Sequence, residues 1–342
     1  MDETLSVGVV GAGYWGPNLI RNFGAHPSWD MKWVADTNDV HLSKIGKIYP
    51  AIALTKDYRD LLKDAALDAV AIATPVEFHY DMVRAALEAG KHVLVEKPLT
   101  STTEEARRLR ELARSRGKTI MVDHTFLYNG AVEHLRQLAS EKSFGNIFYI
   151  DSVRVNLGLF QNSDVIYDLA PHDVSIINHV LNEYPVSVSA NAGACVYSDL
   201  HDVAFLTLRY PSGVLAHAHL SWLSPVKIRK LSIAGSNRMA IWDDVEPSEK
   251  VKVYDKGVEL RSDEESVYRR MVSYRVGDMH APALDTTEAL TKVVNAFHRA
   301  ITTDERTKAT VDDGLAVVAV LEAAHASVVQ RGATITLDYP AD

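Results

Sequence analysis

The sequence predicts a two-domain α/β protein, with an N-terminal doubly wound parallel sheet followed by an α+β domain built on an open, mainly antiparallel sheet. Three observations carry this reading. Short β-branched runs alternate with helical patterns from residue 5 to about 123. Longer strand patterns with turn signals replace them after about residue 145. A glycine signature, Gly11-Ala12-Gly13-Tyr14-Trp15-Gly16, joins the first strand pattern to the first helical one. At 342 residues the chain is too long for one ordinary core. The change of pattern sets the expected domains at 1–124 and 125–342.

In the first half, strands are expected at Val7–Val10, Met31–Ala35, Ile52–Leu54, Ala69–Ala73, His92–Val95 and Thr119–Val122. Helices are expected at Asn18–Ala25, Val40–Ile48, Tyr58–Asp64, Tyr80–Ala89 and Thr103–Arg116. The last of these follows a capping signal at Ser101–Glu105 and stops at Gly117. Strand and helix in alternation imply parallel strands covered on both faces. In the second half, strands are expected at Asn146–Asn156, Val186–Val196, Val203–Tyr210, Val214–Leu223 and Ile228–Ala234, with a hairpin at Pro211-Ser212-Gly213. Helices are expected at about Pro171–Leu181, Thr287–Ile301 and Asp312–Gln330. The acidic stretches Asp243–Glu249 and Ser262–Ser266 read as solvated loops.

A composition 47% hydrophobic and 24% charged is that of a globular chain. The net charge of −9 disfavours nucleic acid or an anionic membrane as partner. The one cysteine, Cys195, excludes an internal disulfide and a cysteine metal cluster, so no metal is expected, and it reads as a small buried hydrophobe. The opening residues have no leader pattern, and the apolar run Leu315–Leu321 is far shorter than a membrane span of about 20 residues. A cytoplasmic location follows as the default expectation.

The glycine signature points to a dinucleotide. Gly11 permits a tight turn, Gly13 lets the backbone approach a pyrophosphate, and Gly16 allows close packing of helix on strand. Pro17 suits the first helical turn, and the helix N-terminus offers N–H groups to phosphate oxygens. Asp36, twenty residues past Gly16, ends the second strand pattern where a carboxylate accepts from the adenosine ribose hydroxyls. The same charge repels a ribose 2′-phosphate, and no Arg follows in Thr37-Asn38-Asp39. The expected cofactor is therefore NAD rather than NADP.

Ligands of an open parallel sheet bind outside the carboxyl ends of its strands. The fourth strand pattern ends at Thr74-Pro75, with His79 four residues on, and the fifth ends at Glu96-Lys97-Pro98. With Gly11, Gly13, Tyr14, Trp15, Gly16 and Asp36, these residues form the candidate cofactor rim. His79 and His124 fall near it, and each reads first as a structural histidine, although His79 is also counted as a cofactor contact.

The ordered set Gly11-x-Gly13-x-x-Gly16, Thr74-Pro75, Glu96-Lys97-Pro98 and Asp168-x-x-x-His172 resembles the Gfo/Idh/MocA oxidoreductases of sugars and cyclitols over nearly the whole chain. The stretches GYWGPNLIRNF, VNLGLFQ and DLAPHD look most like its nucleotide-sugar 3-dehydrogenase branch. The resemblance implies a Rossmann domain, a substrate domain on an open sheet, and a Lys97-Pro98 bond that is often cis. It also implies that Lys97, Asp168 and His172 surround the reacting carbinol. Chemistry then suits His172 to act as base, Lys97 as donor to the developing alkoxide, and Asp168 as a hold on the imidazole or a neighbouring hydroxyl. Asp168 and His172, four apart, would lie around a helix start and face one cleft.

Arg154 and Asn156 are further candidate substrate contacts. Arg154 or Lys227 would meet a diphosphate, and Tyr14, Phe126 and Tyr128 would offer flat surfaces to a sugar or base. Where many relatives carry an arginine and then a proline, this chain reads His124-Thr125-Phe126-Leu127-Tyr128-Asn129-Gly130. The expected reaction is oxidation of a pyranose C3 hydroxyl on a nucleotide-linked sugar such as UDP-N-acetylglucosamine or its uronate. Alternatives are a 3-dehydrogenase of an aminoglycoside or other glycoside, and an NAD-dependent glycosidase working by transient oxidation. An exposed sheet face predicts a homodimer or homotetramer.

Overall fold

The computed structural model describes residues 3–158, 164–198, 200–260 and 272–339. Backbone contacts divide the chain into a unit of Met1–Tyr128 with Thr287–Ala319, and a unit of Asn129–Thr286 with Val320–Asp342. A single cut at residue 124 would instead leave 287–319 with the second half.

The first unit is a six-stranded parallel sheet in the order β3-β2-β1-β4-β5-β6. Its strands are β1 (Leu5–Val10), β2 (Trp29–Ala35), β3 (Ala53–Thr55), β4 (Ala69–Ile72), β5 (His92–Glu96) and β6 (Ile120–Asp123). Between them run α1 (Gly16–Ala25), α2 (Asp39–Ile48), α3 (Arg59–Lys63), α4 (His79–Glu88) and α5 (Thr103–Arg116). Helices on both faces explain why β1 and β4 are buried along their whole length and carry no polar alternation. Val70, Ile72, Val93 and Val95 pack with Leu87 and Leu109 in one core, each contributing about 1.5–3 kcal/mol by leaving water. Strand order reverses between β1 and β4, which opens the crevice where such sheets take ligands.

The returning segment carries α8 (Ala289–Thr302) and the start of α9 (Val311–Val329). It stacks Phe297 on Trp29 at 5.6 Å, accepts the Trp29 indole N–H at Val294 O (3.2 Å), and pairs Glu288 with Arg21 at 2.6 Å. Ala309 O accepts from Val122 N–H at 3.0 Å, so this segment also caps the open edge of β6.

The second unit is a nine-stranded sheet in the order β14-β13-β12-β11-β7-β10-β9-β8-β15. The strands are β7 (Ile147–Leu157), β8 (Ser187–Gly193), β9 (Val203–Arg209), β10 (Leu215–Ser221), β11 (Leu223–Gly235), β12 (Met239–Asp243), β13 (Val251–Leu260), β14 (Val272–His280) and β15 (Ile335–Thr336). β7 and β10 pair parallel, and the other neighbours are antiparallel. The expected hairpin joins β9 to β10, closed by Tyr210 N–H on Val214 O at 3.0 Å with Gly213 at φ 88°. Helix α7 (Val165–Leu181) packs on β7, β9 and β10, leaving Tyr149, Phe205 and Leu215 exposed on strands of the sheet.

Three differences from the sequence reading have physical causes. Helix α7 starts six residues before Pro171, because Asp164 caps the Ile166 and Tyr167 N–H groups at 3.0 and 3.1 Å. Helix α6 (Gly130–Ser140) lies between the two sequence patterns, where no element is expected, and is capped by Asn129 on Ala131 N–H at 2.9 Å. Cys195 is exposed rather than buried: the Asp202 carboxylate accepts from Cys195 and Val196 N–H groups and turns the chain outward after β8. Hydrogen bonding to that carboxylate also pushes its thiol pKa up, away from reactivity. The stretch Ser262–Ser266 and the end of VNLGLFQ lie outside the described residues.

Candidate active site

The glycine loop is shaped by backbone contacts that exclude a side chain. Gly11 has φ 91°, and a Cβ there would stand 2.5 Å from Ala73 O. A Cβ on Gly16 would stand 2.0 Å from Gly11 O, so the first turn of α1 sits directly on the loop. Gly13 differs, because the nearest atom to a Cβ there is His41 Cε1 at 3.8 Å. That open side and the N-terminus of α1, where Trp15 makes no side-chain cap, fit a pyrophosphate. Tyr14 is 93% exposed beside it.

Asp36 follows the end of β2 and is tied to the loop. Its Oδ2 accepts from Ala12 N–H at 2.6 Å and meets His41 Nδ1 at 3.1 Å, while Oδ1 accepts from Asn38 N–H at 2.7 Å. Burial opposes ionisation, yet the donors from Asn38, Ala12 and His41 outweigh it and hold the carboxyl below its ordinary range. A fixed anion therefore stands at the ribose end of the loop. His41 is a residue that sequence reasoning missed; its position five residues past Asp36, on α2, was the available signal.

At the carboxyl ends of β4 and β5 the chain turns at Thr74-Pro75 and at Lys97-Pro98, whose peptide bond is cis. His79 joins the two turns, with Nδ1 at 2.9 Å from Pro98 O and Nε2 at 2.8 Å from Thr74 O. Burial lowers its pKa against the pull of those carbonyls. Both ring nitrogens are occupied by backbone, which makes His79 a structural tie between the turns. Thr74 Oγ1 points to Met82 Sδ at 3.6 Å.

Glu96 and Asp123 are register partners at the ends of β5 and β6. Asp123 is 1% exposed and accepts from the Trp15 indole N–H at 3.2 Å and from Thr125 Oγ1 at 2.8 Å. Glu96 Oε2 accepts from Lys97 N–H at 3.3 Å. Glycine loop, β6 and the lysine turn are thus joined by side chains. His124 is also 1% exposed, and neither of its ring nitrogens has a hydrogen-bond partner among the described residues. Burial, with the Lys97 charge nearby, pushes it down to about 3, so it is a neutral imidazole.

In the second unit Asp168 lies in the first turn of α7, as expected, and His172 lies one turn further along it. Four residues apart, they share a helix face, and both are half-buried. Asp168 Oδ2 accepts from the Trp222 indole N–H at 3.1 Å, and Trp222 is 1% exposed, so the carboxylate is held by a fixed ring. Arg154 does not present a cation outward. Alternation along β7 puts it on the buried face, where its Nε donates to Asp173 Oδ2 at 2.8 Å, both side chains being 5% exposed or less. Asn156, two residues on, keeps a buried Oδ1 with no partner among the described residues. Tyr128 is 3% exposed and accepts from Lys308 N–H at 3.3 Å, which removes it as a flat ligand surface. Lys227 lies exposed in the irregular start of β11. Asp173 and Trp222 were not read from the sequence, because only the register of β7 and β10 with α7 identifies them as partners.

No group of His, Cys, Asp and Glu among the described residues is arranged to hold a metal ion, and no described helix is long and apolar enough to cross a membrane.

Residues 5–124 match the model of the oxidoreductase family with an NAD-binding Rossmann fold, and residues 132–241 match the C-terminal domain of the same family. The chain is 28% identical to UDP-N-acetylglucosamine 3-dehydrogenase of Acidithiobacillus ferrooxidans, over 70% of this chain and 74% of that protein. A solved structure of a UDP-N-acetylglucosamine 3-dehydrogenase from Acidithiobacillus ferrooxidans superposes with a TM-score of 0.78 at 25% identity, covering 95% of this chain and 98% of the other. Inositol 2-dehydrogenase of Corynebacterium glutamicum is likewise 28% identical, over 65% of this chain and 68% of that protein. The chain spans 52% to 67% of the length of three further relatives, two oxidoreductases and a dehydrogenase. With its glycine loop, Asp36 and paired domain models, the chain belongs to the Gfo/Idh/MocA family of NAD-binding oxidoreductases.

Proposed function

We propose that this enzyme oxidises a sugar-ring hydroxyl with NAD, and that the substrate is a nucleotide-linked pyranose such as UDP-N-acetylglucosamine or its uronate, oxidised at C3 to a 3-keto sugar. The observation that carries the reading is the junction of the glycine loop with the lysine turn: Trp15 bonds Asp123, and Asp123 faces Glu96, the residue before Lys97. A primary amine at the cofactor rim suits a carbinol oxygen that loses its proton as its carbon loses hydride. Bound NAD supplies the hydride acceptor. Lys97 donates a hydrogen bond to the oxygen as negative charge develops there. His172 takes the hydroxyl proton, and Asp168, braced by Trp222, holds a neighbouring hydroxyl or the imidazole.

Support for a sugar or cyclitol comes from the names of the relatives, a UDP-N-acetylglucosamine 3-dehydrogenase and an inositol 2-dehydrogenase. The diphosphate part has less support, since Asp173 already balances the Arg154 charge. That observation favours a second reading, a neutral or cationic glycoside oxidised at C3. Incubation with NAD⁺ and UDP-N-acetylglucosamine, its uronate, UDP-glucose, inositol or an aminoglycoside separates the two. The expected product has lost two hydrogens and carries a carbonyl at C3 by NMR. Oxidation of inositol alone, or a carbonyl elsewhere, overturns the substrate reading and leaves the family intact. The exposed residues Tyr149, Phe205 and Leu215 support self-association of the same sample as a dimer or tetramer, and a monomer in sedimentation would overturn it.

NAD is the preferred cofactor in this proposal because the Asp36 carboxylate stays ionised beside the ribose end of the loop. Calorimetric titration is expected to show tighter binding of NAD⁺ than of NADP⁺. Asp36→Ala should narrow the ratio by about tenfold, by removing repulsion and ribose hydrogen bonds together. It should also weaken both ligands, since the Ala12 N–H loses its acceptor. Tighter binding of NADP⁺ by the wild type is the opposite outcome and would reject the preference.

A further inference from the structure

Asp123 and Glu96 face each other with too few donors. Glu96 Oε1 is closed off from solvent and has no hydrogen-bond partner among the described residues, and Asp123 is the register partner of Glu96 across the β5–β6 ladder. Two ionised carboxylates in that position would be acceptors only and would repel. A proton between them supplies the missing donor. It leaves the remaining lone pairs for the donors already present: Trp15 Nε1 at 3.2 Å, Thr125 Oγ1 at 2.8 Å and Lys97 N–H at 3.3 Å.

We propose that Asp123 is a positioning residue, holding one proton with Glu96 and so tying the glycine loop, through the Trp15 indole, to the backbone of the Lys97 turn. The grip on the dinucleotide and the placement of the reactive lysine then depend on the same buried hydrogen bond. Neither carboxyl of the pair touches a reacting atom in this role. Loss of the proton leaves two facing anions and one more proton in solvent. One carboxylate must swing away, and either Trp15 or the Lys97 N–H loses its acceptor.

The charged and titratable groups around the pair are few. Lys97 adjoins Glu96 and opposes the rise in its pKa; His124, next to Asp123, is neutral; and Asp123 acts on the Tyr128 phenol. Lys308 lies over the Tyr128 ring, and Arg299 and Asp313 act on the same phenol. Burial and mutual repulsion raise Glu96 well above the usual carboxyl range, and burial raises Asp123. A carboxyl raised in the folded state binds its proton more tightly folded than unfolded. The stability it contributes is therefore present at acid pH and is lost as pH rises through the folded value.

The test is the pH dependence of NAD⁺ affinity, measured by calorimetry between about pH 6 and about pH 10, a range chosen to cover a raised carboxyl and exclude an ordinary one. Asp123→Asn keeps an oxygen for Trp15 and gives Glu96 a permanent amide donor that does not titrate. The wild type is expected to lose about tenfold or more in affinity across the range, and the variant less than about twofold. Glu96→Gln places the amide on the other side and must flatten the profile equally, so it decides the matter if Asp123→Asn fails to fold. The fluorescence of Trp15, taken as the difference between wild type and Trp15→Phe without cofactor, should change with the same midpoint. This readout also separates failure of the pair from failure of cofactor binding. A wild-type profile that stays flat, or an identical fall in wild type and both amide variants, overturns the proposal.

Discussion

Lys97→Ala and His172→Ala each lower turnover by roughly a hundredfold or more, while NAD⁺ still binds. The two losses have different signatures. Removing the amine takes away the donor that stabilises a developing alkoxide and leaves the base in place. Removing the imidazole takes away the base, so the variant also loses the acid limb of the pH–rate profile. The wild-type profile should rise between about pH 6 and about pH 8, the range in which an imidazole changes charge. Single-turnover kinetics with saturating NAD⁺ measure both. Near wild-type turnover in either variant removes that residue from the mechanism, and a flat wild-type profile removes His172 as base.

Gly16→Ala abolishes useful cofactor binding. The added methyl would stand 2.0 Å from Gly11 O and 2.8 Å from Gly11 C, and neither is the mobile end of a side chain. Relief requires the loop to lift off α1, which breaks the turn that presents its N–H groups. A loss in NAD⁺ affinity of about a hundredfold corresponds to about 2.7 kcal/mol, within the range of a local backbone rearrangement. Thermal stability falls with it, because the clash exists without ligand. Gly13→Ala is the contrasting case. Its methyl meets nothing closer than His41 Cε1 at 3.8 Å, so stability should hold while affinity drops through contact with the pyrophosphate. Calorimetry and thermal melts on the two variants separate these effects. If Gly16→Ala binds within about threefold of wild type, or Gly13→Ala melts as early as Gly16→Ala, this account of the loop is wrong.

Local signals made most of the first unit legible. Helix α5 runs over Thr103–Arg116 as its signals require. Thr102 Oγ1 accepts from Glu105 N–H at 3.3 Å, Glu105 returns a carboxylate to Thr102 N–H at 3.2 Å, and Gly117 ends the helix at φ 60°. The glycine loop and Asp36 were legible because their spacing is imposed by one strand, one turn and one helix. Helix α7 misled the reading, because Pro171 imitates a first-turn proline while the true cap, Asp164, lies seven residues earlier.

What remained hidden depends on partners far apart in sequence. Arg154 read as a cation offered to ligand, and the register that pairs it with Asp173 cannot be seen in either segment alone. Asp123 carried no signal, since a lone acid at a strand end is ordinary until Glu96 is found across the ladder from it. Tyr128 looked like an aromatic surface and is instead buried under the returning chain, its hydroxyl on Lys308 N–H.

That return has a consequence for how the protein is made. A ribosome that has released residues 1–128 has delivered all six strands of the first sheet but none of 287–319. Until the last of that segment emerges, the Trp29 indole N–H lacks Val294 O, its ring lacks Phe297, and Val122 N–H at the β6 edge lacks Ala309 O. The nascent sheet waits, with an apolar flank and an open edge, through the synthesis of some 160 intervening residues, and such surfaces are the ones that aggregate or recruit chaperones. The cofactor-binding unit is begun before strands β7 to β14 are made and is closed only after them.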